Sequence, residues 1–458
     1  MKTYLVRTFG CQMNQHDSER IAGLLEERGL RRADAPGQAD VIVFNTCCVR
    51  ESADERLYGQ VASLKSLKSG GRADLIVAVG GCIGQRDGAE LLHRMPHVDV
   101  VFGTHNVAEL PALLDAAEAG RRTAHVLEAG EGFASDLPTV PADPWRAWVS
   151  ITVGCDNRCS YCIVPYVRGP ERSRAFEDVL AEVNTLQKRG VVEVTLLGQN
   201  VNSYGRDRYG EPRFAELLRA VGGAGIPRVR FTTSHPKDLS DATIAAIAEV
   251  SSVMPYLHLP VQAGSDRILE AMNRSYTREQ YLRLAERIRA AIPGIALSTD
   301  VIVGFPGETA DDFEQTLDVF QRVRFDHAFT FIYSPREGTP AARLVDDTPR
   351  ATVQERFDRL AALVRDLAYE SNLREVGQRR TLLVQGPSKR DPAVLAGRTP
   401  ANRLTHVPVP PGSDAHALAG TFLDVRITEA HPWFLAGEAV SDGAEGRPGS
   451  GSSTRSAR

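Results

Sequence analysis

Three of the seven cysteines in this 458-residue chain, Cys155, Cys159 and Cys162, stand close together in the segment VGCDNRCSYC. A structural zinc site needs four protein ligands, and residues 151–175 offer neither a fourth cysteine nor a histidine. A disulfide would leave one of the three thiols over. Three thiolates on one loop can instead bind three irons of a 4Fe-4S cluster and leave the fourth iron open. We therefore predict an iron–sulfur site, with zinc or a purely structural role as the alternatives.

The other four cysteines are Cys11, Cys47, Cys48 and Cys82, and they follow three predicted strands, TYLVRTFG, DVIVFNT and LIVAVGG. The C-terminal ends of parallel strands share one edge of a sheet, so these thiols should converge there. A single free cysteine is commonly a small buried apolar residue. The same position after three strands favours a second three-cysteine iron–sulfur cluster. The turn decides whether Cys47 or Cys48 faces the site, so both remain open.

The elements that must position these residues alternate between short apolar strands and amphipathic helices. Residues 1–127 have this pattern, with helices predicted at 17–28 and 50–68, and indicate a parallel α/β domain. A linker rich in Gly, Pro and acidic residues is predicted at 128–146. Residues 147–375 contain six further candidate strands separated by helices. They predict a partial (βα)6 TIM-like barrel with its active site at the C-terminal ends of the strands.

The remainder of the chain differs in composition. Residues 376–440 contain several short strands with turn signals and predict a small antiparallel β domain. From 374 to 440 there are eight basic and six acidic residues, a slight excess that fits either an RNA-binding surface or a solvated one. Residues 441–458 are poor in apolar residues and predict a disordered tail.

Composition sets further limits on function. The net charge is −4, with 54 basic and 58 acidic residues, so composition alone neither demands nor excludes a nucleic-acid partner. The sequence shows no apolar run long enough to span a bilayer and no secretory signal, so we expect a cytoplasmic protein without a membrane partner. Thiols stay reduced in the cytoplasm, which favours metal or redox chemistry for clustered cysteines.

The spacing CxxxCxxC, with Tyr161 directly before the last cysteine, resembles the signature of the radical S-adenosylmethionine enzymes. That family has a partial (βα)6 barrel, and its open iron binds S-adenosylmethionine, whose reductive cleavage yields a 5'-deoxyadenosyl radical. Two cysteine clusters followed by a β domain resemble the methylthiotransferases, whose C-terminal domain is a TRAM domain. The segments TFGCQMN, NTCCVRESA, FTTSHPKDL, LHLPVQAGSD and STDVIVGFPGET resemble the branch acting on N6-isopentenyladenosine in tRNA.

The resemblance implies a transferase for tRNA processing that replaces the C2 hydrogen of N6-isopentenyladenosine, next to the anticodon, by a methylthio group. It implies two 4Fe-4S clusters and S-adenosyl-L-methionine as cofactors, with a second S-adenosylmethionine as methyl donor and an auxiliary cluster that handles sulfur. In the family pattern the cysteine directly after Asn-Thr is the ligand, which corresponds to Cys47. The implied metal ligands are therefore Cys11, Cys47, Cys82, Cys155, Cys159 and Cys162.

The implied partners are a tRNA substrate, an electron donor such as flavodoxin or ferredoxin, and an iron–sulfur carrier, and the chain is expected to be a monomer. Residues that follow barrel strands or lie in their loops are candidate contacts to the cofactor or substrate, with an ordinary loop position as the alternative for each: Gly198, Gln199, Asn200, Ser234, Gln262 and Arg274. Asp300, near the end of the fifth strand, is a candidate contact to the ribose. His235 is expected to be a hydrogen-bonding loop residue rather than a catalyst. No catalytic residue beyond the cluster ligands is predicted.

Two rival functions share parts of this pattern. Sister methylthiotransferases act on an aspartate of a ribosomal protein or on threonylcarbamoyl-adenosine in tRNA, and they share both clusters and the barrel. The residues around Cys11 favour the isopentenyladenosine branch. A rival of another class is a non-enzymatic RNA-binding scaffold that holds iron–sulfur clusters or zinc. Production of 5'-deoxyadenosine on reduction would exclude that scaffold.

Overall fold

A computed structural model describes residues 1–48, 51–128 and 137–440 of the chain, without the side chains of 51–55. The chain forms two compact units. The first consists of Met1–Ser371 with Pro400–Asn402, and the second of Asn372–Thr399 with the chain from Arg403 onwards. The N-terminal α/β domain and the barrel domain thus belong to one unit. The predicted domain boundaries stay predictions, and the predicted disordered tail lies outside the described residues.

The N-terminal domain alternates strands and helices as predicted. Its elements are β1 Thr3–Thr8, α1 Gln12–Glu27, β2 Arg31–Arg32, β3 Val41–Thr46, α2 Glu51–Ser69, β4 Ile76–Gly81, α3 Cys82–Arg94, β5 Val100–Phe102, α4 Leu110–Glu118 and β6 Thr123–His125. The strands form one parallel sheet in the order β2-β1-β3-β4-β5-β6. All residues of β3 and β4 are buried, because apolar clusters cover both faces of the sheet.

This strand order places a topological switch point between β1 and β3, which are neighbours in the sheet although β2 lies between them in the chain. Ligands of open parallel sheets bind outside the C-terminal ends of the strands at such a point. Cys11 follows β1, Cys47 and Cys48 follow β3, and Cys82 follows β4 directly. The fold therefore brings all four N-terminal cysteines to the ligand-binding edge.

The second domain alternates six main parallel strands with helices. Its elements are β7 Arg146–Ser150, β8 Thr152–Val153, α5 Val164–Arg168, β9 Arg172–Ser173, α6 Phe176–Lys188, β10 Glu193–Leu197, α7 Arg206–Tyr209, α8 Phe214–Gly222, β11 Arg228–Phe231, α9 Asp241–Glu249, β12 Tyr256–His258, α10 Asp266–Ala271, α11 Arg278–Ala291, β13 Ala296–Val303, α12 Ala310–Val323, β14 His327–Ile332 and α13 Arg350–Leu373. The sequence predicts helices at 177–189, 214–221, 240–249, 277–291, 309–322 and about 351–375, and α6, α8, α9, α11, α12 and α13 agree with these bounds to within one or two residues. The short helices α5, α7 and α10 were not predicted.

The main strands form two parallel three-stranded sheets, β7-β10-β11 and β12-β13-β14. A parallel bridge between Val229 and Val253 continues the first sheet toward the second. Local sequence sets the helix starts, since Thr277 with Gln280 and Thr309 with Asp312 form capping boxes before α11 and α12. These sheets and their outer helices share one large apolar core. The predicted partial (βα)6 barrel is confirmed.

The second unit is a small closed β-barrel. Its strands are β15 Arg379–Pro387, β16 Val394–Arg398, β17 Leu404–Pro408, β18 Phe422–Ala430 and β19 Leu435–Ala439, in the order β15-β16-β17-β19-β18. All neighbours are antiparallel except β17 and β19, which run parallel. The prediction of a small β domain is confirmed, with this one parallel pair added.

Part of the predicted linker packs on the N-terminal domain. Gly23 of α1 lies against Pro138, since a Cβ there would come within 2.2 Å of the Pro138 carbonyl oxygen. The amide of Val140 donates to the carbonyl of Glu19, and Arg20 donates to the carbonyl of Leu137. Among the described residues, no helix combines the length and the apolar character that crossing a membrane requires.

Candidate functional site

The loop that carries Cys155, Cys159 and Cys162 leaves the barrel at the C-terminal end of its first strand. Strands β8 and β9, at the two ends of this loop, pair antiparallel with each other. Gly154 has a φ of 79°, and a Cβ at this position would lie 2.0 Å from the carbonyl oxygen of Pro170. Only glycine fits this conformation and this close approach. The three thiols therefore sit where the sequence predicted them, on a loop with a fixed base.

A second set of contacts anchors the loop to the segment after α10. The amide of Ser160 donates to the carbonyl of Met272 at 3.0 Å, and its hydroxyl donates to the carbonyl of Ala271 at 2.7 Å. Arg274, a buried residue, donates to Cys159 Sγ at 3.4 Å and to the carbonyl of Pro260. Arg274 was predicted as a contact to cofactor or substrate, and it lies directly beside a predicted cluster ligand.

The three thiols of this loop are soft sulfur donors suited to a metal cluster, although burial alone keeps two of them protonated. Burial raises the pKa of Cys155 to about 11 and that of Cys162 to about 12, and the neighbouring Cys159 acts in the same direction on both. In the chain alone these thiols keep their protons, whereas binding to a metal removes them. Within the described ranges, no three Cys, His, Asp or Glu side chains lie close enough together to hold a single metal ion. A 4Fe-4S cluster differs from a single metal ion, because each thiolate binds a different iron of the cluster.

Buried polar atoms without a partner collect after the first strands of the barrel. Within the described part of the chain, Thr152 Oγ1, Asn200 Oδ1, Asn202 Nδ2 and Ser234 Oγ are buried and have no hydrogen-bond partner. Each such atom costs about 1–3 kcal/mol unless a ligand or water satisfies it. They follow neighbouring strands at one end of the barrel, so they line a site suited to a polar ligand. Of these residues the sequence singled out Asn200 and Ser234.

Gly198 and Gln199 lie in the same turn after β10. A Cβ at Gly198 would come within 2.3 Å of Thr152 Oγ1, so the glycine permits close packing against the neighbouring strand. Gln199 is half-buried beside it. The side-chain amide of Asn200 donates to Asp238 Oδ2 at 2.7 Å, which fixes its orientation. This turn is thus part of the wall of the polar site.

Gln262 and Asp300 belong to the second half of the barrel. Gln262 has a φ of 68°, unusual for a residue other than glycine, and its backbone bridges to β13 through Asp300 and Ile302. Asp300 is the fifth of eight residues in β13, hence in mid-strand rather than near its end, and its carboxylate lies 3.4 Å from His258 Nε2. His235 accepts from the amide of Lys237, and burial lowers its pKa to about 2, as expected of a neutral loop residue.

The four N-terminal cysteines form two contacting pairs. A hydrogen bond with Cys47 lowers the pKa of Cys11 to about 6. A hydrogen bond with Cys48 lowers the pKa of Cys82 to about 7, against the effect of burial. Gly10, with a φ of 118°, allows the first contact, because a Cβ there would lie 2.1 Å from the Cβ of Cys47. The predicted convergence of these thiols is observed.

Cys47 is the partner of Cys11 and Cys48 is the partner of Cys82, and the surroundings of the two cysteines differ. Cys48 packs in the apolar cluster that also contains Phe44, Leu57 and Ile83, whereas Cys47 lies against Gly10. All seven cysteines are described, and none is in a disulfide. The assignment of Cys47 as the ligand stays a prediction.

Several residues at this edge were not found from the sequence. The side chains of Asn14 and Asn45 cross-link α1 to the end of β3, through bonds to the carbonyls of Thr46 and Asn14. Arg168, in the barrel domain, donates to Asp17 of α1 at 3.0 Å. Its charge also acts on Cys11 and Cys82. The only sequence signal for Arg168 was a basic residue shortly after the cysteine loop.

Comparison with protein families assigns all three parts of the chain. The radical SAM superfamily matches residues 149–320, the uncharacterized protein family UPF0004 matches residues 3–103, and the TRAM domain matches residues 373–440. A solved structure with a similar fold is the radical S-adenosylmethionine methyltransferase TsrM of Kitasatospora setae. It has a TM-score of 0.53 and 15% identity, and the match covers 75% of each chain.

Two relatives are similar over almost the whole chain. The tRNA-2-methylthio-N(6)-dimethylallyladenosine synthase of Kineococcus radiotolerans is 50% identical over 454 residues, which cover 96% of this chain and 89% of that protein. The protein of the same name from Acidothermus cellulolyticus is 51% identical over 444 residues, which cover 96% and 88%. The barrel and its three-cysteine loop thus define a radical SAM enzyme. Within this class, the chain belongs to the family of the tRNA-2-methylthio-N(6)-dimethylallyladenosine synthases.

Proposed function

We propose that this enzyme replaces the C2 hydrogen of N6-isopentenyladenosine, next to the anticodon of tRNA, by a methylthio group. The observation that supports this proposal best is the presence of two separate cysteine groups at strand ends of one compact unit. One group lies on the loop of a radical barrel and the other at the switch point of a parallel sheet. The relatives that are half identical to this chain carry the name of that activity.

The C2–H bond of adenine is not acidic, so no side-chain base could remove this proton at neutral pH. We assign Cys155, Cys159 and Cys162 as ligands of a 4Fe-4S cluster, which when bound supplies the electron that cleaves S-adenosylmethionine to a 5'-deoxyadenosyl radical. Arg274 donates to Cys159 and holds one ligand in place.

The polar site beside the loop suits the methionine and ribose groups of S-adenosylmethionine. Thr152, Asn200 and Ser234 present buried oxygen atoms there that have no partner in the described part of the chain. We propose contacts to the cofactor or substrate by Gly198, Gln199, Asn200, Ser234, Gln262, Arg274 and Asp300. Burial around this site excludes water, which protects a radical from side reactions.

We further propose that Cys11, Cys47 and Cys82 hold a second 4Fe-4S cluster at which sulfur is handled, and that a second S-adenosylmethionine donates the methyl group. The donor set fits, because Cys11 and Cys82 have lowered pKa values and a buried cation faces them. The remaining partners that we propose are an electron donor such as flavodoxin or ferredoxin and an iron–sulfur carrier. We expect a monomer that acts in the cytoplasm, where tRNA is modified.

Deletion of the gene is expected to remove the methylthio group from tRNA and to let N6-isopentenyladenosine accumulate, because the enzyme acts on that precursor. Mass spectrometry of nucleosides from total tRNA measures both. The intact gene should restore the product, and a gene with Cys155, Cys159 and Cys162 changed to alanine should not. Unchanged isopentenyladenosine methylthiolation, with loss of a methylthio group from threonylcarbamoyl-adenosine or a ribosomal protein, would assign the chain to a sister activity.

Truncation of the chain after residue 375 is expected to leave the iron content unchanged and to weaken tRNA binding. The cysteines all precede this point, and the second unit is a separate small β-barrel that matches the TRAM domain. If its basic residues contact phosphates, the slope of log affinity against log salt should also become shallower. Filter binding at several salt concentrations measures this slope.

A chain that ends at residue 440 is the matched control, because it keeps the whole β-barrel. Its affinity for tRNA should equal that of the full chain. An equal loss of tRNA affinity in both truncated chains would show that residues 441–458 contact the tRNA. No loss in either would show that the first unit does.

A further inference from the structure

Arg168 belongs to the barrel domain in sequence but lies in the N-terminal cysteine site. It ends helix α5, which starts two residues after Cys162. The residue is only 4% exposed. Ile163 and Val167 pack in the apolar cluster of the N-terminal domain that includes Cys48 and Cys82. One short segment therefore runs from the radical loop into the sheet edge that holds the other thiols.

Two hydrogen bonds hold the end of this helix. The carbonyl of Val167 accepts from Thr104 Oγ1 at 2.7 Å. The guanidinium of Arg168 donates to Asp17 Oδ2 at 3.0 Å. Asp17 lies on α1, whose N-terminal cap is Cys11. A buried arginine is costly unless its charge is compensated, and here the Asp17 carboxylate provides the compensation.

The electrostatics agree with this geometry. The guanidinium of an arginine stays charged even when buried, and Asp17 fixes it beside the helix that Cys11 caps. Helix α5 packs against α3, whose first residue is Cys82. Arg168 is thus a fixed cation beside the sheet edge that holds the thiols to which we assign the second cluster.

We propose that Arg168 is a positioning residue of the sulfur-handling site: its guanidinium, fixed by Asp17 at the sheet edge, offsets the negative charge of the thiolates there. This inference rests on the proposed second cluster. Charge and hydrogen bonds around the sulfurs set the reduction potential of an iron–sulfur cluster. A missing cation should disfavour the more negative, reduced form.

The test uses full-length protein in which Cys155, Cys159 and Cys162 are alanine, so that only the second cluster can form. After anaerobic reconstitution, its reduction potential is measured by dithionite titration followed by electron paramagnetic resonance. Arg168→Met should shift the potential to more negative values, and Arg168→Lys, which keeps the charge, should shift it much less. Asp17→Asn removes a negative charge and should shift it in the opposite direction.

Tyr166→Ala is the matched control, because Tyr166 lies on the same helix but its side chain is 59% exposed. It should leave the potential unchanged. If Arg168 were only a structural partner of Asp17, Arg168→Met and Asp17→Asn would change the potential in the same direction, and the inference would be overturned. An unchanged potential in Arg168→Met would also overturn it.

Failure of the parent protein to bind about four irons would overturn the second cluster itself and the inference with it. If the parent protein binds about four irons but Arg168→Met has the same reduction potential as the parent, only the inference is overturned. Should Arg168→Met fail to fold, Arg168→Lys and Asp17→Asn decide: a shift confined to Asp17→Asn supports the inference, and no shift in either contradicts it.

Discussion

Replacement of Cys155, Cys159 and Cys162 together by alanine is expected to halve the iron content of the anaerobically reconstituted enzyme, from about eight to about four irons per chain. It should also abolish the cleavage of S-adenosylmethionine. These thiols are the proposed ligands of the cluster with the open iron. The measurements are iron analysis of the purified protein and chromatographic detection of 5'-deoxyadenosine after reduction.

The triple variant should remain folded, because most hydrogen bonds that anchor this loop do not use the thiols, and only the bond from Arg274 to Cys159 Sγ is lost. The amide of Ser160 still donates to Met272, and the backbone of residue 155 still donates to Gly169. An unchanged far-ultraviolet circular dichroism spectrum checks this point. A folded variant that still produces 5'-deoxyadenosine would show that other residues hold the reactive cluster.

Most of the fold could be predicted because its apolar periodicity is strong. The strands β3 and β4 consist of mostly apolar residues, as expected for a parallel sheet covered on both faces. The start of α1 was missed: the pattern indicated a helix from residue 17, and the helix begins at Gln12. Its start contains buried polar residues: Asn14 bonds to Cys11 and to the carbonyl of Thr46 at the cysteine site, and His16 bonds to Arg20. Hydrophobic periodicity does not detect such residues.

The cluster thiols could be predicted because their spacing and their positions after strands are local properties of the sequence. The partner of Arg168 could not be predicted, since Asp17 is 151 residues away in the chain and no local pattern relates the two residues. Asn202 and Thr152 were missed for a related reason. They are unremarkable polar residues in sequence, and only the packing of neighbouring strands shows that their side-chain atoms are buried without partners.

Replacement of Cys11, Cys47 and Cys82 together by alanine is expected to have the reciprocal effect. The variant should still produce 5'-deoxyadenosine but should form no methylthio product, because these thiols lie at the sheet edge and not on the radical loop. About four irons should remain. Product analysis on isopentenylated tRNA, run beside the 5'-deoxyadenosine assay, measures both effects. Loss of both activities would show that the two sites do not act separately.

The single variants Cys47→Ala and Cys48→Ala separate the two neighbouring cysteines. We expect Cys47→Ala to lose the second cluster and the methylthio product, and Cys48→Ala to keep both clusters and activity. The expectation rests on the family pattern, which puts the ligand directly after Asn45 and Thr46, and alanine can replace, at moderate cost, a cysteine that only packs. Iron content and methylthio product, measured side by side in the two variants, test the assignment. If Cys48→Ala is the variant that loses iron, Cys48 and not Cys47 binds the cluster together with Cys11 and Cys82.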